Sequence, residues 1–409
     1  MKYKAIDSIQ DLHNFGEFGG VNPSISDSST YTFLSAKKMF DTFEGKTEGC
    51  YLYTRHSSPS NLYLGEALAA LEGSEAANVT ASGMGAITAV ILQICSAGDH
   101  IVCSRTVYGG TYAFLKNLLP KFGIQTSFVD ITKLDSLAHT IQSNTKMIFC
   151  EAVSNPLLEV ADLRGLAKIA ENTNIPLVVD NTFSPLSITP VKIGADVVIQ
   201  SLTKFINGMS DGVAGAICAS KDFCLELKDV NAGAGMLLGS TLDSQRAAAI
   251  LKNMRTLHIR MQKHSSNAMY LAKKFEEIGL KVSYPGLRSH PGHEVMKAQM
   301  NPEFGFGGIL TLDLEDLDKA NALMEAMQHK NLGYLAVSLG FYKTLFSAPG
   351  TSTSSEIPID EQKKMGLSNG LLRISVGLDH DIERTFKSML ECMLALGILP
   401  REQMATTAI

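Results

Sequence analysis

The chain has 409 residues, 45% of them hydrophobic and 19% charged, with a net charge of -5 and a pI near 6.1. That length exceeds one ordinary hydrophobic core, so about two or three domains are expected. The lack of a basic balance excludes nucleic acid and anionic membrane as natural partners.

From residue 1 to about 60 the chain shows little regular period and is rich in Ser, Gly, Thr and Tyr. Helices and strands then alternate. Asn61–Glu72 and Ala86–Cys95 read as helices. His100–Ser104, Gln125–Asp130, Thr145–Glu151, Ile175–Asp180, Ala195–Gln200 and Gly215–Cys218 read as short apolar strands. Such alternation predicts a mainly parallel sheet covered on both faces. A basic amphipathic stretch, Ser244 to about Ile278, leads to a second domain with strands over Ile309–Leu314, Leu335–Leu339 and Leu372–Val376, closed by a helix over Asp381–Leu396. The expected division is an arm over 1–60, a large domain over 61–255 and a C-terminal domain over 256–409. Met1–Leu12 lacks the apolar core of a signal peptide, and no segment reaches the ~20 apolar residues of a membrane span, so a cytoplasmic protein is expected. Seven cysteines (Cys50, Cys95, Cys103, Cys150, Cys218, Cys224, Cys392) are scattered, mostly in apolar runs, with no CxxC pair. They are expected to be reduced thiols, with no metal site.

The chemistry concentrates at strand ends. Lys204 follows the apolar run Val197–Gln200 and sits beside Ser201 and Thr203. Asp180 ends another buried-strand pattern, where open α/β sheets gather ligand-binding groups. An amine and a carboxylate so placed suit pyridoxal phosphate (PLP), the lysine joining the aldehyde and the aspartate keeping the pyridine nitrogen protonated. Taken singly, a lysine is usually a solvated surface residue and a strand-end aspartate often a helix cap. Ser82-Gly83-Met84 lies between a short strand and a helix, where backbone N–H groups can cradle a phosphate, although any tight turn needs glycine. Tyr108 can stack on a flat cofactor or simply pack. Asn155, before Pro156, can hydrogen-bond a cofactor oxygen or mark a turn. Arg373 lies between Leu372 and Ile374 in a strand, and its natural partner is a substrate carboxylate held bidentately.

The ordered series Tyr53-Thr-Arg55, Ser82-Gly83-Met84, Tyr108-Gly109, Val179-Asp180-Asn181-Thr182, Ser201-Leu-Thr-Lys204, Ser338-Leu-Gly340 and Arg373-Ile-Ser-Val-Gly377 resembles the PLP enzymes of cysteine and methionine metabolism (transsulfuration, cystathionine γ-synthase-like). Within them it is most similar to the methionine γ-lyases of the plant-type branch, through Ala336–Leu345 and Gly350–Glu356. The resemblance implies an aminotransferase-like α/β fold (fold type I), with a mainly parallel seven-stranded sheet in the large domain and a smaller α/β C-terminal domain. It implies a carbon-sulfur lyase that cleaves L-methionine by α,γ-elimination to methanethiol, 2-oxobutanoate and ammonia. Lys204 would carry the cofactor as a Schiff base and move protons, Asp180 would pair with the pyridine nitrogen, and Tyr108 would stack on the ring and protonate the leaving thiol. Ser82, Gly83, Met84, Ser201 and Thr203 would hold the phosphate. Tyr53 and Arg55 would reach the phosphate of a neighbouring subunit, in a homotetramer built from active-site-sharing dimers. Asn155, Ser338 and Arg373 would orient the substrate carboxylate.

Three departures from the family pattern matter, the first for a turn and the other two for the substrate. Ser58-Pro59-Ser60 replaces Asn-Pro-Thr after the Tyr-x-Arg motif. Gly110 stands where bacterial methionine γ-lyases carry cysteine. Lys343 occupies the place where cystathionine enzymes tend to have a glutamate for the distal ammonium, and a lysine there would repel it. The alternatives are a cystathionine γ-lyase, γ-replacement on an O-acylhomoserine (a cystathionine γ-synthase or sulfhydrylase), and a non-catalytic binding protein of the same fold.

Overall fold

The computed structural model describes residues 19–47 and 49–400. Residues 1–18 of the expected arm, Glu48 and residues 401–409 lie outside the described residues. Seven strands, β1 (Ala76–Thr80), β2 (His100–Ser104), β3 (Gln125–Val129), β4 (Thr145–Glu151), β5 (Leu177–Asp180), β6 (Val197–Ser201) and β7 (Gly215–Ala219), form one sheet in the order β1-β7-β6-β5-β4-β2-β3. Only β7 runs antiparallel to its neighbours; all other pairings are parallel. This is the mainly parallel, seven-stranded sheet that the resemblance implies.

Side-chain alternation divides the strands between two hydrophobic layers. Val102, Ile148, Cys150, Leu177 and Val179 enter one, and Ile101, Cys103, Met147, Phe149 and Val178 the other. Burial of each such side chain contributes roughly 1.5–3 kcal/mol, which is why these strands read as near-continuous apolar runs.

Two early helices begin sooner than their apolar periods indicate, because their caps lie in polar sequence. In α2 (Pro59–Glu72), which follows α1 (Ala36–Phe43), Ser58 Oγ accepts from Asn61 N and Pro59 takes the first turn. In α3 (Gly83–Ile94), Ser82 Oγ accepts from Gly85 N. The single stretch expected from Ser244 to Ile278 is two helices, α4 (Ser244–Met254) and α5 (Leu257–Glu277). Buried Arg260, in the first turn of α5, braces the break by donating to the carbonyls of Asn253, Phe205 and Ile206. It thereby ties the joint between the helices to the residues that follow Lys204.

The second sheet has β8 (Val282–Ser283), β9 (Ile309–Asp313), β10 (Tyr334–Leu335), β11 (Leu345–Ser347) and β12 (Leu371–Ser375), in the order β10-β11-β12-β9-β8. Leu310, Leu372 and Ile374 of this sheet pack with Leu323 and Met327 of α6 (Leu317–His329) and with Met389 and Met393 of α7 (Ile382–Ala395). The strand expected over 335–339 stops at Leu335, because Ser338 is drawn into contacts with the large domain. All seven cysteines are free, and all but Cys50 are buried. No described helix is long and apolar enough to cross a membrane.

Candidate active site

The C-terminal ends of β4, β5 and β6 and the N-terminus of α3 surround a cavity of about 220 Å³. The C-terminal domain closes it with Val337, Leu339, Thr353 and Arg373. Ten of the expected residues line it together: Ser82, Gly83, Met84, Tyr108, Asn155, Asp180, Ser201, Thr203, Lys204 and Arg373. Ser338 joins them by hydrogen bonds.

Lys204 Nζ donates to Ser338 Oγ at 3.1 Å. Burial, reinforced by the Arg373 guanidinium, lowers its pKa to about 8, so a useful fraction of the amine is neutral and nucleophilic near neutral pH. Arg373, 2% exposed on β12, donates through Nη1 to Asn155 Oδ1 at 2.9 Å and through Nη2 to the Ser338 carbonyl at 3.4 Å. Burial pulls its pKa down to about 10, and a bound anion would relieve that cost. Asp180 is buried, and its Oδ1 accepts from Thr182 N at 2.9 Å and Thr182 Oγ1 at 2.5 Å. Burial raises its proton affinity and the Thr182 bonds oppose the rise. Its Oδ2 has no hydrogen bond among the described residues, so one carboxylate oxygen is available to a ligand cation.

The phosphate cradle expected at the α3 N-terminus has the space it needs. A Cβ on Gly83 would stand 3.0 Å from Ser201 Cβ and 3.1 Å from its Oγ, so a side chain there would crowd Ser201 and force it to give way slightly. Ser201 N donates to Thr182 Oγ1 at 2.9 Å, and Thr203 Oγ1 accepts from Ala214 N at 3.1 Å, which holds the two hydroxyl residues beside the helix end. A shielded amine, a carboxylate with a free oxygen and a glycine-walled cradle are the donor set that PLP requires.

Other expected residues stand apart. Tyr53 and Arg55 are exposed and do not line the cavity of their own chain; Arg55 Nη1 donates to the Met236 carbonyl at 3.3 Å, and its guanidinium lies 5.8 Å from the Tyr53 ring centroid. Gly110 lies behind Tyr108, where a Cβ would come within 2.6 Å of the tyrosine Cε1. Lys343 is outside the lining, its ammonium 5.3 Å from the Tyr334 ring centroid.

Sequence reasoning missed Glu151, which lines the cavity, and Thr182, which orients Asp180. Both follow the rule that singled out Asp180, being polar residues at the C-terminal ends of buried strands.

The profile of the family described as Cys/Met metabolism PLP-dependent enzyme matches residues 5–391. The chain belongs to this family. It is therefore PLP-dependent, and the carbon–sulfur chemistry of sulfur amino acids is its province. The chain is 42% identical over 390 residues to a methionine gamma-lyase of Arabidopsis thaliana, covering 94% of this chain and 88% of that one. It is 36% identical over 356 residues to an O-succinylhomoserine sulfhydrylase of Pseudomonas aeruginosa, covering 86% of each. A solved structure of a candidate O-acetylhomoserine (thiol)-lyase from Campylobacter jejuni superposes with a TM-score of 0.89 at 28% identity, covering 96% of this chain and 100% of that one, and carries N'-pyridoxyl-lysine-5'-monophosphate.

Proposed function

We propose that this protein is a methionine γ-lyase, catalysing α,γ-elimination of L-methionine with water to give methanethiol, 2-oxobutanoate and ammonia. The reading rests on the charge inventory of the cavity. Its four charged lining residues are Glu151, Asp180, Lys204 and Arg373. Asp180 and Lys204 are taken by the cofactor, Arg373 by the substrate carboxylate, and both Glu151 oxygens by backbone N–H groups. Among the described lining residues, none is left for the charged far end of cystathionine. The remaining wall, with Ile87, Phe183, Val213, Val337 and Leu339, suits a methyl thioether.

In this assignment Lys204 would carry the cofactor, Asp180 would pair with its pyridine nitrogen, Tyr108 would stack on the ring, and Ser82, Gly83, Met84, Ser201 and Thr203 would hold its phosphate. PLP supplies an electron sink that lets the α- and β-protons of the substrate leave. Arg373, with Asn155 and Ser338 around it, orients the substrate carboxylate. Lys204 would take the α-proton, and its amine is suited to that by a pKa of about 8. Tyr108 gives a proton to the departing sulfur, and burial followed by the Glu356 carboxylate keeps its hydroxyl protonated until then. Tyr53 and Arg55, set away from their own cavity, serve the phosphate site of a partner subunit, so the working unit is at least a dimer within the homotetramer.

The test is steady-state turnover of the PLP-loaded protein on L-methionine, L-cystathionine, and O-acetyl- and O-succinyl-L-homoserine with sulfide. Methanethiol and 2-oxobutanoate in equal amounts, with methionine preferred, support the reading. Preference for cystathionine or for γ-replacement replaces the substrate assignment, and failure to take up PLP overturns the whole site.

A further inference from the structure

Glu151 has a place in the cavity that binding of cofactor and substrate leaves unexplained. It ends β4, directly opposite Asp180 in the register of β4 with β5, and is 6% exposed. Its two oxygens serve different loops. Oε1 accepts from the backbone N–H of Tyr108 at 2.6 Å, on the segment after β2, and Oε2 accepts from the backbone N–H of Asn155 at 2.7 Å, on the segment after β4. Asn155 in turn holds Arg373. One carboxylate therefore spans the residue that covers the cofactor ring and the pair that receives the substrate carboxylate. A carboxylate accepts at both oxygens with no competing donor, whereas an amide would present a donor to one of the N–H groups.

We infer that Glu151 is a positioning residue that sets Tyr108 and Asn155 in register with each other and adds a second negative charge beside Asp180 on the side facing the pyridine nitrogen. Burial and the nearby Asp180 charge both work against its ionisation. A nearby cation would relieve that repulsion, and a protonated pyridine nitrogen held by Asp180 would be such a cation. The clamp is thus tightest when the cofactor is in place. This inference rests on the cofactor and carboxylate assignments proposed above.

The experiment compares wild type, Glu151→Gln and Glu151→Asp as PLP-loaded enzymes, reading KM and kcat for L-methionine, the pH midpoint of the cofactor's visible absorbance, and Tm. Glu151→Gln should raise KM about tenfold through the misplaced Asn155 and lower the absorbance midpoint by at least about half a pH unit, because removing a negative charge disfavours protonated cofactor groups. Glu151→Asp keeps the charge but is one methylene shorter, so its midpoint should stay near wild type while KM rises. In an Asn155→Ala background, Glu151→Gln should add less than about twofold to KM. A folded Glu151→Gln with wild-type KM and midpoint and only a lower Tm would overturn the inference, as would an unchanged KM in Glu151→Asp should the glutamine variant fail to fold. A wild type that takes up no PLP or turns over no sulfur amino acid would instead bring down the underlying functional reading.

Discussion

Replacing Glu72 with glutamine should stabilise this protein at alkaline pH and do little in acid. Glu72 ends α2 beneath the sheet and is 1% exposed. Its Oε1 accepts from Gln200 Nε2 at 2.5 Å and Asn181 Nδ2 at 3.4 Å, while Oε2 is buried without a partner. Burial, only partly offset by those two amides, moves its pKa from 4.5 to about 7. A displacement of that size corresponds to ~3 kcal/mol against the ionised form. Because the folded-state value is the raised one, the folded protein holds this proton more tightly. The associated stability is fully present below pH 4.5 and is lost as pH climbs through about 7. Glutamine keeps the acceptor oxygen and carries no charge, so the variant avoids the loss. Thermal unfolding of wild type and Glu72→Gln, matched for PLP and protein concentration, should show the variant about 3 °C more stable at pH 8.5. At pH 5 the difference should shrink to below ~1 kcal/mol. A difference that does not change with pH, or a variant less stable at pH 8.5, would refute the argument.

Three further outcomes are expected. If Tyr53 and Arg55 act across an interface, Arg55→Ala and Lys204→Ala will each be inactive alone, and refolding an equal mixture will restore about a quarter of the wild-type sites, since half the dimers are hybrids and each has one intact site; no recovery means that Arg55 acts elsewhere. Gly340→Ala should cut kcat/KM by about 10²-fold or more, because a Cβ there would stand 2.5 Å from Phe205 N and 2.9 Å from Lys204 C in a backbone at φ 77°, forcing Ser338 away from Lys204; near-normal kinetics would show that the contact is slack. Lys343→Glu should shift the ratio of cystathionine to methionine turnover by less than about threefold, given that the ammonium rests on Tyr334 outside the cavity lining; a shift of an order of magnitude would restore Lys343 as the selector that its sequence position suggests.

What could be read from the sequence follows from which physical signals are local. The parallel strands are evident because both their faces are buried, and a run such as Leu177-Val-Val-Asp180 has no other economical reading. Lys204, Asp180 and Arg373 stand out for the same reason, as charges set within or at the end of apolar runs. Glu151 carries the same signal but passes as an ordinary strand end, because its partners are backbone N–H groups that leave no mark on the sequence. Lys343 shows the converse: a position in the chain does not reveal that its ammonium lies beside the Tyr334 ring, outside the cavity lining.

The strand expected over 335–339 shows why local pattern gives way at the site. Leu335-Ala-Val-Ser-Leu339 has strand propensity, and Ala336 N still donates to the Phe346 carbonyl. Beyond it the chain bonds to both sheets' residues rather than to its strand neighbour. Ser338 Oγ accepts from Lys204, its carbonyl accepts from Arg373, and Gly340 N donates to Ser375 Oγ. Those bonds bring together a lysine from the first sheet and an arginine from the second, so the segment gives up ladder pairing in order to join two domains. The amine is shielded and the guanidinium aimed only while the domains are packed in this way. Substrate recognition by Arg373 and proton transfer by Lys204 should therefore weaken together when residues 338–340 move, even where neither charged residue is touched.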